Sequence, residues 1–156
     1  MDGASYAIAL GSNRRTRYGS PRATLNAALA MLGGVERVSP IIETPPLGPS
    51  RRRFANAVAL VRSDETPDAL LTRLKAIERD FGRRAGRRWG ERALDLDIVL
   101  WSGGAWASSR LTVPHRAFRE RRFVLGPLAV LAPGWRDPIS RRTMRQLLAR
   151  LAPYRA

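Results

Sequence analysis

Residues Leu94 to Ile98 run Leu-Asp-Leu-Asp-Ile, and no other stretch of this chain limits its fold as tightly. Successive side chains of a strand point to opposite faces. Leu94, Leu96, Ile98 and Leu100 therefore share one face and offer it to a core. Asp95 and Asp97 stand together on the other face, with Val99 and Trp101 beyond them. Two like charges on one strand face repel, which calls for cations nearby, and Arg83, Arg84, Arg87, Arg88 and Arg92 lie just upstream. A carboxylate pair that keeps coordination positions open suits Mg²⁺, which takes one or two protein carboxylates together with substrate phosphates. Taken alone, an Asp-x-Asp beside a basic loop is equally a solvated strand edge, so the rest of the chain has to decide.

The chain has 156 residues, enough for one domain (residues 1–156) with a real core. It has no cysteine, which excludes disulfides and thiolate metal sites. No apolar run approaches the roughly 20 residues of a membrane span. The first residues lack the charged and apolar regions of a signal peptide. A cytoplasmic monomer is the expectation. The net charge is +15, and Lys75 is the only lysine among the basic residues. Such a balance implies an anionic ligand. The arginine bias itself is also what a GC-rich coding sequence produces.

Tyr6, Ile8 and Leu10 alternate with Ala7 and Ala9 in a first strand that ends at Gly11-Ser12-Asn13. Ser20-Pro21 has the form of an N-cap followed by proline at the first helical position. Leu25, Ala28, Leu29 and Leu32 follow at helical spacing up to Gly33-Gly34. Val35 to Thr44 is strand-like, and Phe54 to Val61 is a third strand. Thr66-Pro67 opens a second helix with a stripe of Leu70, Leu71, Leu74, Ile77 and Phe81, and the Asp-x-Asp strand follows. This order, β-α-β-β-α-β, is that of an α+β ferredoxin-like antiparallel sheet. Additional C-terminal helices are expected over Phe123 to Leu131 and around Met144, Leu147, Leu148 and Leu151.

Arg88 to Ile98, Arg-Trp-Gly-Glu-Arg-Ala-Leu-Asp-Leu-Asp-Ile, closely resembles the signature of the 6-hydroxymethyl-7,8-dihydropterin pyrophosphokinase family. Ala9-Leu10-Gly11-Ser12-Asn13, Glu43 to Pro49, Phe54 to Val58, Arg110 to His115 and Arg121 to Leu128 resemble further motifs of that family, in order. The resemblance implies a ferredoxin-like fold and transfer of pyrophosphate from ATP to the pterin hydroxymethyl group, with release of AMP. It implies that Asp95 and Asp97 hold two Mg²⁺ ions, and that Arg83 or Arg84 acts with Arg92 on the transferred group. For the nucleotide it implies Glu78, Trp89, Arg92, the Ile98 backbone, Arg110, Thr112, His115 and Arg121. For the pterin it implies Thr44, Pro45, Leu47, Phe54, Asn56 and Phe123.

The residue chemistry agrees with these roles. Guanidinium meets phosphate oxygens bidentately and stays ionised. Phe54 and Asn56 are two apart on a strand and share a face, giving a flat heteroaromatic ring both a stacking surface and an amide to read its edge. Asn56 within an apolar strand is the more telling residue, because a buried amide demands partners. Glu78 is expected on the exposed flank of its helix. Pro46 to Arg53 and Gly82 to Arg92, without an apolar stripe, are expected to close over the site. Glu91, Ala93 and Phe54 stand where proline, threonine and tyrosine are frequent in the family; none of these changes removes a metal carboxylate.

Two rivals remain open on the sequence. An RNA-binding module of the same topology would need exposed aromatics on its central strands, where this chain has Ala-Ile-Ala-Leu and Leu-Asp-Leu-Asp. A different Mg²⁺-dependent nucleotidyl transferase would share the ATP side but not the Phe54, Asn56 and Phe123 pocket.

Overall fold

A strand whose two faces are both apolar or small belongs at the middle of a sheet, and β1 (Ala4–Ser12) is such a strand. In the computed structural model, which describes residues 3–44, 54–82 and 93–151, β1 pairs antiparallel with β4 (Phe54–Ser63) on one side and β5 (Asp95–Trp101) on the other. β2 (Val35–Val38) and β3 (Ile42–Thr44) both pair antiparallel with β4, so the sheet runs β2-β4-β1-β5 with β3 beside β4. The single long strand expected from Val35 to Thr44 is thus two. Pro40 lacks the N–H a continuous ladder needs, and Ser39 bridges the gap. It donates its N–H to the Val58 carbonyl and accepts the Val58 N–H on its hydroxyl, both at 2.9 Å.

Helices α1 (Pro21–Leu32) and α2 (Pro67–Asp80) cover one face of the sheet. Each starts where its side-chain cap dictates: Ser20 Oγ accepts the Ala23 N–H at 3.2 Å, and Thr66 Oγ1 accepts the Ala69 N–H at 3.3 Å. Their stripes, Leu25, Ala28 and Leu32 with Leu70, Leu74, Ile77 and Phe81, pack on Tyr6, Ile8, Leu10, Leu94, Leu96 and Ile98. A short hairpin of β6 (Trp106–Ala107) and β7 (Thr112–Val113) follows β5, and a 3₁₀ turn over Phe118–Glu120 leads into α3 (Arg122–Leu131). α3 and α4 (Met144–Arg150) pack on the opposite face of the sheet. Proline inside a helix costs about 3 kcal/mol, and α3 contains Pro127. Burying Val124, Leu125, Leu128 and Leu131 returns about 1.5–3 kcal/mol each, so the helix persists.

One departure from simple alternation matters. Ala7 pairs with Leu100 while Ile8 pairs with Ile98, so Val99 is an extra residue on β5, a β-bulge. Beyond it the faces exchange. Leu100 packs with Ala7, Val58 and Val99 against α3, not with Leu94, Leu96 and Ile98, and Trp101 turns to the α2 side. The expected placement of Leu100 and Trp101 is corrected accordingly; Asp95 and Asp97, before the bulge, keep theirs.

The second layer is locked by Asp137, which is fully buried. Its carboxylate accepts Arg119 Nε at 2.6 Å and Nη2 at 2.8 Å, the Ile139 N–H at 3.0 Å and the Ser140 hydroxyl at 2.8 Å. Burial pushes its pKa up, but Arg119, the Ile139 amide and the Ser140 hydroxyl outweigh that and hold it at about 2 against an ordinary 3.8. A depressed carboxylate pKa adds stability above the unfolded value that is lost as the pH falls toward the folded one. Acid unfolding between about pH 4 and 2 should therefore soften in Asp137→Asn relative to wild type. Arg119→Ala, which strands a buried charge, should cost about 3 kcal/mol in urea melts at neutral pH.

Candidate active site

The face of the sheet not covered by α1 and α2 is only partly roofed by α3, and a cleft of about 440 Å³ opens there. Register builds it. Ala9 lies between Val58 and Asp97, and Gly11 lies between Asn56 and Asp95, so the central strand gives a floor of small residues with functional side chains on both flanks. Phe54 continues the β4 flank, and Arg121, Phe123 and Val124 close the cleft from the start of α3. A Cβ on Gly11 would sit 3.2 Å from Asn56 Oδ1, so glycine here keeps the room in which the amide lies. Asn56 is 6% exposed, while Phe54, Phe123, Asp95 and Asp97 are half-buried.

Asp95 and Asp97 offer oxygen donors alone, and no group of three or more His, Asp or Glu side chains able to enclose a metal occurs among the described residues. Two carboxylates over an open floor fit a hard cation that keeps most of its coordination for water or phosphate, such as Mg²⁺, and not a closed zinc site.

His115 adjoins through a recess shared with Ala9, Asp97, Val99 and Arg121. The bulge places it there: the carbonyl of Val99 accepts the His115 N–H at 3.0 Å. The peptide between Val113 and Pro114, just before it, is cis. His115 Nδ1 accepts the Ala117 N–H at 3.1 Å, which leaves the proton of the neutral ring on Nε2. Burial lowers its pKa below the ordinary 6.5; Asp97 pulls the other way and Arg121 adds to the lowering. The guanidinium of Arg121 lies 5.8 Å from the Phe123 ring centroid, a cation–π contact within the wall formed by the start of α3.

Of the expected site residues, Phe54, Asn56, Asp95, Asp97, Arg121 and Phe123 line one cleft and His115 borders it. Thr44 pairs with Phe54 at the end of β3. Arg110 and Thr112 are exposed on the hairpin, where Arg110 Nη2 donates to Thr72 Oγ1 at 3.0 Å and ties it to α2. The Ile98 side chain is buried among the core residues under α2. Glu78 is not on an exposed flank: it is 1% exposed, and Oε2 accepts the Leu96 N–H at 2.7 Å. Arg83, Arg84, Trp89, Arg92, Pro45 and Leu47, with most of both loops expected to close over the site, lie outside the described residues. Ala9, Gly11 and the Val99 carbonyl were missed as site elements. The run of small residues Ala7, Ala9 and Gly11 on one face of β1 was the available signal for the first two.

The antiparallel sheet and the start of α3 thus bring a carboxylate pair, an amide and two phenyl rings to one cleft. A family model described as 7,8-dihydro-6-hydroxymethylpterin-pyrophosphokinase matches residues 7–133. A protein of Pseudomonas aeruginosa named 2-amino-4-hydroxy-6-hydroxymethyldihydropteridine pyrophosphokinase is 42% identical over 148 residues, 91% of this chain and 88% of that one. A protein of Synechocystis with the same name is 40% identical over 124 residues, 78% of this chain and 64% of that one, so the match spans less than two thirds of that relative. A crystal structure described as HPPK-DHPS in complex with substrates shares the fold at a TM-score of 0.73 and 13% identity, over 96% of this chain and 43% of that one. The chain belongs to the 7,8-dihydro-6-hydroxymethylpterin-pyrophosphokinase family.

Because burial outweighs Asp97 at His115, its imidazole should titrate below pH 6.5 in ¹⁵N NMR spectra, with the proton of the neutral form on Nε2. Removing the attractive charge in Asp97→Asn should lower the midpoint further, and Arg121→Ala should raise it.

Proposed function

We propose that this chain transfers the terminal pyrophosphoryl group of ATP to the hydroxymethyl oxygen of 6-hydroxymethyl-7,8-dihydropterin, giving the pterin diphosphate and AMP for folate synthesis. The observation that carries this reading is the convergence, in a member of this family, of a carboxylate pair and an amide-and-phenyl pocket on one cleft. Asn56 reads the polar edge of the pterin, whose ring stacks between Phe54 and Phe123. The Thr44 backbone, with Pro45 and Leu47, completes that side.

Asp95 and Asp97 would hold Mg²⁺, two ions in all, which would neutralise the triphosphate and favour in-line displacement. The pterin oxygen bonds to the β-phosphorus as the bridge to the α-phosphate breaks, and the hydroxyl proton leaves to solvent. His115 donates an Nε2–H hydrogen bond to a phosphate oxygen. It orients the phosphate, while Arg121 meets phosphate oxygens with its planar fork. Arg83 or Arg84, with Arg92, screens the transferred group. Arg110, Thr112, Trp89 and the Ile98 backbone receive the rest of the nucleotide.

The sheet order β2-β4-β1-β5, with α1 and α2 on one face, supports a ferredoxin-like arrangement extended by α3 and α4. We assign the chain as one domain acting as a cytoplasmic monomer. No helix among the described residues is long and apolar enough to cross a membrane.

AMP formation from ATP, Mg²⁺ and the pterin tests the reading. Wild type should release AMP only when the pterin is present, and Asp97→Ala should lower kcat by about a thousandfold, as expected for several kcal/mol of charge stabilisation. Asn56→Ala should raise the pterin KM by roughly tenfold or more while the ATP KM stays unchanged. A folded wild type that forms no AMP would overturn the assignment.

A further inference from the structure

Among the described residues β5 ends the sheet on its side, so alternate backbone groups of its outer edge face no described strand of that sheet. Leu96 is one of these residues, and it sits between the two carboxylate-bearing positions. Its amide is buried, with the whole residue 1% exposed, so water cannot serve it. The partner is Glu78, in the last turn of α2, whose Oε2 accepts that N–H at 2.7 Å. The other oxygen, Oε1, lies 3.4 Å from Lys75 Nζ one turn earlier, which supplies the countercharge.

The geometry points to Glu78 as the positioning residue for the Asp95 and Asp97 pair, acting through the Leu96 amide; this rests on the metal-binding role proposed for that pair. Fixing the Leu96 peptide planes fixes the backbone on both sides of it, and so the direction in which each aspartate leaves the strand. Asp95 and Asp97 point to the cleft, whereas Glu78 lies on the α2 side of the sheet with Leu96 and Ile98. Glu78 therefore acts on a ligand in the cleft only by way of β5. The contact falls on the second residue of β5, where the chain enters the sheet and pairing with β1 has only begun. Glu78 is a described partner on the outer edge at this end of the strand, where strand ends fray most readily.

Three readouts test this on the full chain. The first is hydrogen exchange at the Leu96 amide without metal. The second is Mn²⁺ half-saturation with a non-hydrolysable ATP analogue, followed by EPR. The third is AMP formation against Mg²⁺ concentration. In Glu78→Ala the Leu96 amide should exchange about a hundredfold faster. Mn²⁺ half-saturation should rise about tenfold or more, in line with the loss of an outer partner of a metal ligand, while the pterin KM stays within about threefold. Glu78→Gln, whose amide oxygen still accepts the Leu96 N–H, should restore all three to within about threefold of wild type. Should Glu78→Ala not fold, Glu78→Asp removes the reach while keeping the charge and should behave as Glu78→Ala is expected to. An unchanged Mn²⁺ half-saturation when Leu96 loses protection would overturn the positioning role, as would a Glu78→Gln enzyme as impaired as Glu78→Ala. Wild type that binds no Mn²⁺ with the nucleotide analogue would fail the metal reading itself, and the proposal with it.

Discussion

Everything at the cleft depends on the register of β1 with its two neighbours. Gly11 is opposite Asn56 on one side and Asp95 on the other, and Ala9 is opposite Val58 and Asp97. Adjacent strands lie about 4.8 Å apart, so the backbones that carry Asn56 on β4 and Asp95 on β5 stand about 10 Å from each other across a floor almost without side chains. That separation is set by backbone hydrogen bonds, the least adjustable interactions in the molecule. A slip of one residue on either side would turn a functional side chain into the core beneath α1 and α2. The apolar residues on that hidden face, Tyr6, Ile8, Leu10, Leu96 and Ile98, resist such a slip because each would then be exposed.

What the sequence made legible follows from what local patterns encode. Alternation at Leu94 to Ile98 placed both aspartates on one face, and Ser20-Pro21 and Thr66-Pro67 marked both helix starts to the residue. Asn56 in an apolar strand was visible as a site residue because a buried amide must be met by a polar partner. Hidden features were those that depend on a partner distant in sequence. Nothing near Val99 announces a bulge, which exists only relative to Ala7 and Ile8. Glu78 stands four and eight residues after Leu74 and Leu70, in line with the buried stripe of α2, but its partner becomes evident only once β5 is laid beside α2. The break at Ser39-Pro40 was written in the proline, but its repair by the Ser39 hydroxyl required β4.

The distribution of acids is as informative as the excess of bases. Asp80 pairs with Arg17, Glu65 with Arg73 and Asp137 with Arg119, and Asp68 accepts from Trp106 and Ser108. These acids tie one segment of chain to another, whereas Asp95 and Asp97 face the cleft. A molecule of net charge +15 thus carries a small acidic centre inside a broadly positive field. Such a field raises the local concentration of a polyanion before contact, an effect that salt screens.

The extra residue at Val99 has a consequence for how this strand tolerates change. It is a phase break, separating the half of β5 that carries the carboxylates from the half that anchors against α3. Removing it would restore strict alternation with Leu100 and Trp101 kept in their present layers, while withdrawing the carbonyl that holds the His115 amide. Upstream, Asp95 and Asp97 would keep their phase. The length of the strand at this point is thereby a coordinate of the catalytic layout, and a one-residue deletion here would disconnect the histidine from a cleft whose every other wall was still standing.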